Sequence, residues 1–117
     1  LPKMQEAFDG YFNMFETCIR NMCFVGKNLD ISAEQAGKLR AISSYSSGLR
    51  DIMEFCIRLS LIEALFTDKT VFVIMDDPFV NLDDVNTSLA LSVLEKISAK
   101  IQIVYMTCSK SRIPEKV

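Results

Sequence analysis

Two adjacent carboxylates, Asp76 and Asp77, close an unbroken apolar run, Val71-Phe72-Val73-Ile74-Met75. Ionised acids side by side at the end of a buried strand repel one another. A divalent cation relieves that repulsion, and magnesium suits carboxylate, water and phosphate oxygens. The spacing fits phosphoryl transfer, in which the first acid supports magnesium and the second orients an attacking water. The plainer alternative is the start of a solvated loop with no chemistry. A second group, Ser46-Ser47-Gly48, opens a long apolar-periodic segment. A helix start offers free N–H groups and the positive end of the macrodipole. Serine hydroxyls and a glycine that permits close approach suit a phosphate there. Serine and glycine are so frequent in N-caps that, taken alone, a simple cap is the better reading. A third polar group, Thr107-Cys108-Ser109, follows a second apolar run, Ile101 to Met106. Gly37-Lys38 is not a phosphate loop, because the G-x-x-x-x-G-K-S/T frame is missing.

These groups need elements to hold them. Met4, Phe8, Tyr11, Phe15, Cys18 and Met22 recur at alternating steps of four and three. That spacing predicts a helix from Met4 to about Phe24, stopped by Gly26. The seam is nearly heptad, so the segment reads as a core helix or as the root of a coiled coil. Leu29-Asp30-Ile31 and Leu39-Arg40-Ala41-Ile42 predict two short strands in a hairpin. A loop over Ser43 to Gly48 leads into a helix from about Leu49 to Phe66. Its apolar face carries Leu49, Ile52, Cys56, Leu59, Ile62 and Phe66, widened by Met53, Ile57, Leu61 and Ala64. Arg50, Glu54 and Arg58 form the polar strip, four apart and of attracting sign. Thr67-Asp68-Lys69 reads as a turn. The run Val71 to Met75 reads as a strand covered on both faces. After Asn81-Leu82-Asp83 a helix to about Ala99 buries Val85, Leu89, Val93 and Ile97, and Ile101 to Met106 forms the next strand. Strand, helix, strand in that order is a βαβ unit with parallel strands. Active groups in such sheets collect beyond the carboxyl ends of the strands, which places Asp76 and Asp77 at one strand end and Thr107, Cys108 and Ser109 at a neighbouring one.

Composition narrows the function. The 117 residues are half hydrophobic and about a quarter charged, with a formal net charge of −2. This is a globular chain with no basic field to hold nucleic acid by itself. Four cysteines without a C-x-x-C pair, and no histidine, argue against a zinc site. Cys56 and Cys108 read as small core residues, and reduced thiols suit the cytoplasm. No apolar run approaches the length that spans a bilayer, and no signal peptide is visible. The first residue is Leu1 and not an initiator methionine, which reads as an excised fragment or an engineered chain.

In order and spacing, Leu29 to Arg112 resembles the C-terminal lobe of ABC-type ATPases, nearest the SMC-like branch with its double-strand-break repair ATPases. Tyr45-Ser46-Ser47-Gly48-Leu49 is similar to the signature motif, Val71 to Asp77 to Walker B, Asn81-Leu82-Asp83 to the D-loop, and Ser109 falls at the switch histidine. The resemblance implies an α/β fold, the C-terminal half of a P-loop NTPase, with a short β-hairpin and helices packed on parallel strands. It divides the chain into residues 1–26, the end of a coiled-coil arm, and 27–117, the lobe. It implies that Ser46, Ser47 and Gly48 touch the γ-phosphate of ATP held by a second head. Asp76 then supports Mg2+, Asp77 stands at the catalytic carboxylate, and Asn81 and Asp83 belong to the D-loop, with Asp83 working across the dimer interface. Asp77 replaces the usual glutamate, Ser109 the histidine, Ser47 a glycine, and Leu49 an acidic or amide residue. No Walker A motif is present, so the implied partners are an N-terminal Walker A lobe and a second copy of the head, with DNA reached through the full assembly and no membrane. ATP hydrolysis is expected of a complete head and not of this chain alone. A catalytically degenerate interaction module on the same fold is the alternative, and a transporter subunit fits less well because no long helical subdomain precedes the signature. An exposed sheet edge is expected to be covered by a partner or by self-association.

Overall fold

The computed structural model describes residues 2–17, 23–35, 37–41, 45–66 and 71–114. The first helix, α1 (Pro2–Phe12), ends about twelve residues before the expected stop. Asp9, Gly10 and Asn13 are weak helix formers, and the chain leaves through tight turns, Met14 N–H to Tyr11 C=O at 3.1 Å and Phe15 N–H to Phe12 C=O at 3.1 Å. Met4, Phe8 and Phe15 of the expected stripe are nevertheless buried, Tyr11 is half-buried, and Phe12, outside the stripe, is buried with them. The apolar period therefore marked most of the buried residues, but burial continues around a turn as easily as along a helix. Cys23, at the expected helix end, begins a strand, and the segment containing Cys18 and Met22 lies outside the described residues.

That strand, β1 (Cys23–Val25), pairs antiparallel with β2 (Ile31–Gln35), which pairs antiparallel with β3 (Lys38–Ala41). Gly26 is thus not a helix stop. It turns β1 into β2, donating its N–H to Asp30 C=O at 2.8 Å and accepting from Leu29 N–H at 3.0 Å. The expected boundary at residue 26 runs between two strands of one sheet. The expected hairpin is present as β2–β3, with Gly37 at a φ of 78° in its turn, where a side chain is disfavoured, but its first strand starts at Ile31, and Leu29 and Asp30 belong to the turn from β1. Ile42, Ser43 and Ser44 lie outside the described residues, as does the turn at Thr67-Asp68-Lys69. Gln5 of α1 ties down β1: its Nε2 donates to Cys23 C=O at 2.9 Å and its Oε1 accepts from Val25 N–H at 2.8 Å. The side-chain amide thereby satisfies backbone groups of an edge strand.

The long helix α2 (Ser47–Leu65) buries Ile52, Met53, Phe55, Cys56, Ile57 and Leu59. Tyr11 Oη donates to Glu63 Oε1 at 2.9 Å, linking α1 to α2. Beyond it, β4 (Phe72–Asp76), α3 (Asp84–Ile97) and β5 (Gln102–Met106) form the expected unit, with β4 and β5 parallel from Phe72 opposite Gln102 to Asp76 opposite Met106. Two expectations fail here. Helix α3 buries Val93 as expected and packs Leu89 and Ile97 partly against the core, but it turns Val85 outward, 52% exposed, and buries Ala90, Leu91 and Leu94 as well. Strand β4 is covered on one face only. Met75, Ile103 and Tyr105 pack on the core, while Phe72 (65% exposed), Ile74 (59%), Val104 and Met106 form an open apolar face. An apolar run marks a strand that can be covered on both sides, and the second cover is not made by the described residues. Aromatic rings run through the core from helix to loop: Phe15 meets Phe55 edge-on at 6.2 Å, Phe55 meets Phe79 edge-on at 5.0 Å, and Phe79 lies 5.9 Å from Tyr105.

Candidate functional site

Three of the polar groups singled out in the sequence converge on the loop that follows β4. Its anchor is Phe79, only 1% exposed, whose ring is clamped between Phe55 of α2 and Tyr105 of β5. With Phe79 fixed, the residues on either side of it are aimed. Asp76 is exposed at the end of β4. Asp77 adopts a φ of 42°, a left-handed conformation that aspartate tolerates better than most residues and that is further disfavoured before Pro78. Strain of this kind persists where the surroundings over-determine it. They do so here. Asp77 N–H donates to Met106 C=O at 2.6 Å, continuing the β4–β5 ladder past the strand end. Its carboxylate accepts from Thr107 Oγ1 at 2.9 Å, Cys108 Sγ at 3.1 Å, and Arg112 through Nε at 2.9 Å and Nη2 at 3.0 Å.

The arginine fork beside Asp77 holds its carboxyl well below the usual carboxylate range, helped by the Cys108 and Thr107 hydrogen bonds. In return, the carboxylate raises the Arg112 pKa. Sequence reasoning missed Arg112, and Cys108 is an exposed ligand of Asp77, not a core residue. Cys56 is the buried thiol expected, 0% exposed. Ser109 lies beside this cluster: its N–H donates to Thr107 Oγ1 at 3.3 Å and its hydroxyl pairs with Ser111 at 2.8 Å. It makes no hydrogen bond to Asp77. The signal for Arg112 was a cation three residues past the switch position, on the 3-10 turn Lys110–Arg112.

On the other side of Phe79 the loop meets the start of α2. Asn81 Nδ2 donates to Asp51 Oδ2 at 2.9 Å. A methyl group at Gly48 would lie 2.7 Å from the Asn81 carbonyl oxygen, so only glycine allows this approach without a shift. Ser46, Ser47 and Gly48 therefore share a shallow cavity of about 400 Å3 with Asn81, Leu82 and Asp83. Asn81 also lines a larger cleft of about 800 Å3 that includes Asp51, Arg58, Asp76 and Asp77. Ser46 caps α2 through its hydroxyl, accepting from Leu49 N–H at 3.3 Å. Asp83 caps α3 more tightly, accepting from Asn86 N–H at 2.7 Å. Both residues thus have a local helix-start role, and the first residues of α2 line the shallow cavity.

The donors suit magnesium in a limited way. Among the described residues no group of three or more Cys, Asp or Glu side chains gathers to hold a metal. Asp77 is engaged by Arg112, which leaves Asp76 as the exposed carboxylate. One carboxylate fits an ion whose other ligands are water and nucleotide phosphates.

No family model matches the chain, and no curated protein matches its sequence. Solved structures do match. A chain from SMC ATPases studied for ATP-driven dimerisation and DNA-stimulated activation is 17% identical with a TM-score of 0.70, covering 95% of this chain and 70% of its own length. An Smc head domain with an extended coiled coil, bound to the C-terminal domain of ScpA, from Pyrococcus furiosus, is 15% identical with a TM-score of 0.69, covering 95% and 29%. The SMC head domain from Thermotoga maritima is 18% identical with a TM-score of 0.64, covering 96% and 40%. The chain therefore spans well under half of the latter two. At this identity the likeness establishes the fold: a mixed α/β domain, hairpin and parallel strands included, of the kind found in SMC ATPase heads.

Proposed function

We propose that this chain is the C-terminal lobe of an SMC-like ATPase head, working in a DNA-repair or chromosome-type machine once joined to a Walker A lobe and paired with a second head. The observation that carries the reading is the junction at Asn81, where the helix start Ser46–Gly48 and the acids Asp76 and Asp77 are tied to one loop. Such a junction lets a nucleotide on one side be felt on the other. In this reading Asp76 supports the magnesium that neutralises phosphate charge, Asp77 stands at the water-orienting position, and Ser109 at the switch. Ser46, Ser47 and Gly48 present the α2 N-terminus to a phosphate held by the partner head, and Asn81 and Asp83 face the same interface. The open apolar face of Phe72, Ile74, Val104 and Met106 is the surface for the Walker A lobe, since water-exposed apolar area of that kind favours burial. Residues 1–26 lead in from a coiled-coil arm, and DNA is reached through the assembly.

The complete protein tests this directly. With Mg2+ and a slowly hydrolysed ATP analogue, sedimentation analysis should show monomeric heads converting to dimers. A mass that the nucleotide leaves unchanged, in a protein that also fails to bind it, would sink the proposal. A second reading has its own support. Because Asp77 is fully engaged by Arg112, Thr107 and Cys108, the lobe also suits an interaction module without hydrolysis. Nucleotide-independent docking of the two lobes, with no turnover, is the outcome that favours it.

A further inference from the structure

A carboxylate has about four lone-pair sites. All four are used at Asp77: Oδ1 accepts from Thr107 Oγ1 and Arg112 Nε, and Oδ2 from Arg112 Nη2 and Cys108 Sγ. In this state Asp77 has no acceptor left to orient a water or take its proton. The two Arg112 bonds are the exchangeable ones. Guanidinium groups bind carboxylate and phosphate oxygens with the same planar fork, and a phosphoryl group carries more negative charge than a carboxylate. The pair is partly covered, at 17% and 19% side-chain exposure, so solvent and an incoming anion can both reach it. The neighbouring Ser109 is neutral and supplies no positive charge of its own.

We infer that Arg112 is a latch on Asp77, opened when the terminal phosphate of a nucleoside triphosphate takes the guanidinium in place of the carboxylate. The inference rests on the ATPase-head reading and adds its regulation. Opening frees one acceptor on each oxygen of Asp77, while Thr107 and Cys108 keep the carboxylate in place. The cation that the switch position lacks then comes from a residue three positions later. A diphosphate has no terminal group at that point and leaves the latch shut.

The test uses the complete protein, with ATPγS and ADP as probes. In the wild type, the Arg112 Nε–H resonance should mark the carboxylate pair without nucleotide. It should move on adding ATPγS, stay in place with ADP, and lose its nucleotide-free position in Asp77→Asn. Arg112→Gln should weaken ATPγS binding about tenfold, the scale of a charge-assisted hydrogen bond, and leave ADP within about twofold. Arg112→Lys, which keeps charge but loses the fork, should fall between. An Arg112 resonance that ATPγS does not move overturns the latch, even if Arg112→Gln fails to fold. So does a folded Arg112→Gln protein whose two affinities fall together or not at all. A wild-type protein that binds neither nucleotide overturns the head reading itself, whereas binding of both with an unmoved resonance overturns only the latch.

Discussion

At Asp77 the local conformation and the ion pair explain each other. A left-handed residue before proline is costly, and a four-donor shell offsets that cost while fixing the carboxylate's direction. The linkage has a definite sign. Because the folded-state pKa is depressed, the pair contributes stability that is fully present above the ordinary aspartate value and is lost as pH falls below it. Urea unfolding of wild type and Asp77→Asn should therefore show a gap at pH 7 that closes progressively below about pH 4. A gap that persists unchanged in acid would mean the ion pair is not its source. Gly48 gives the second prediction at this scale. Alanine gains helix propensity there, up to about 1 kcal/mol, but must push against a backbone carbonyl at 2.7 Å. Over-packing against a carbonyl that the Phe79 anchor holds in place outweighs propensity, so Gly48→Ala should be net destabilising by about 1 kcal/mol or more and shift the Asn81 amide signals. A more stable variant with unmoved Asn81 signals would show that the loop yields freely.

At the level of elements, one buried ring organises the loop that carries both acids. Phe79 is the point where α2, β5 and the loop after β4 meet. Its truncation removes contacts from three elements at once, so Phe79→Ala should cost about 3–5 kcal/mol in thermal or urea unfolding. Phe79→Leu should cost less, because most of the volume is kept. The element-level errors have the same root. Helix α1 was expected to run on because Phe15 continued the apolar period, yet Phe15 reaches the core through a turn. Phe55 was absent from the expected apolar face of α2, but the loop brings Phe79 against it. Periodicity describes one element in isolation, and neither effect is local to one element.

Across the whole molecule, the parallel pair β4–β5 carries core on one face and open apolar side chains on the other. The described fold measures 43 × 34 × 18 Å. Exposed apolar area of this sort drives association. Light scattering of the chain alone should show self-association with concentration, and Ile74→Lys, on the open face, should reduce it without lowering the melting temperature. The same substitution should abolish docking to the phosphate-binding lobe if that lobe covers this face. Association unaffected by Ile74→Lys would place the contact elsewhere, at a strand edge for example.

By itself the sequence determined the βαβ unit, the hairpin, the long helix after Ser46–Gly48, and the strand-end position of Asp76 and Asp77. These follow from apolar period, helix capping and turn chemistry, which act between residues close in the chain. Tertiary structure alone decided that Arg112 occupies Asp77, that Asn81 touches Gly48, and that one face of β4 stays open. Those contacts join residues 30 or more positions apart. Their geometry depends on how packed elements meet, and neighbour-to-neighbour spacing carries no record of that.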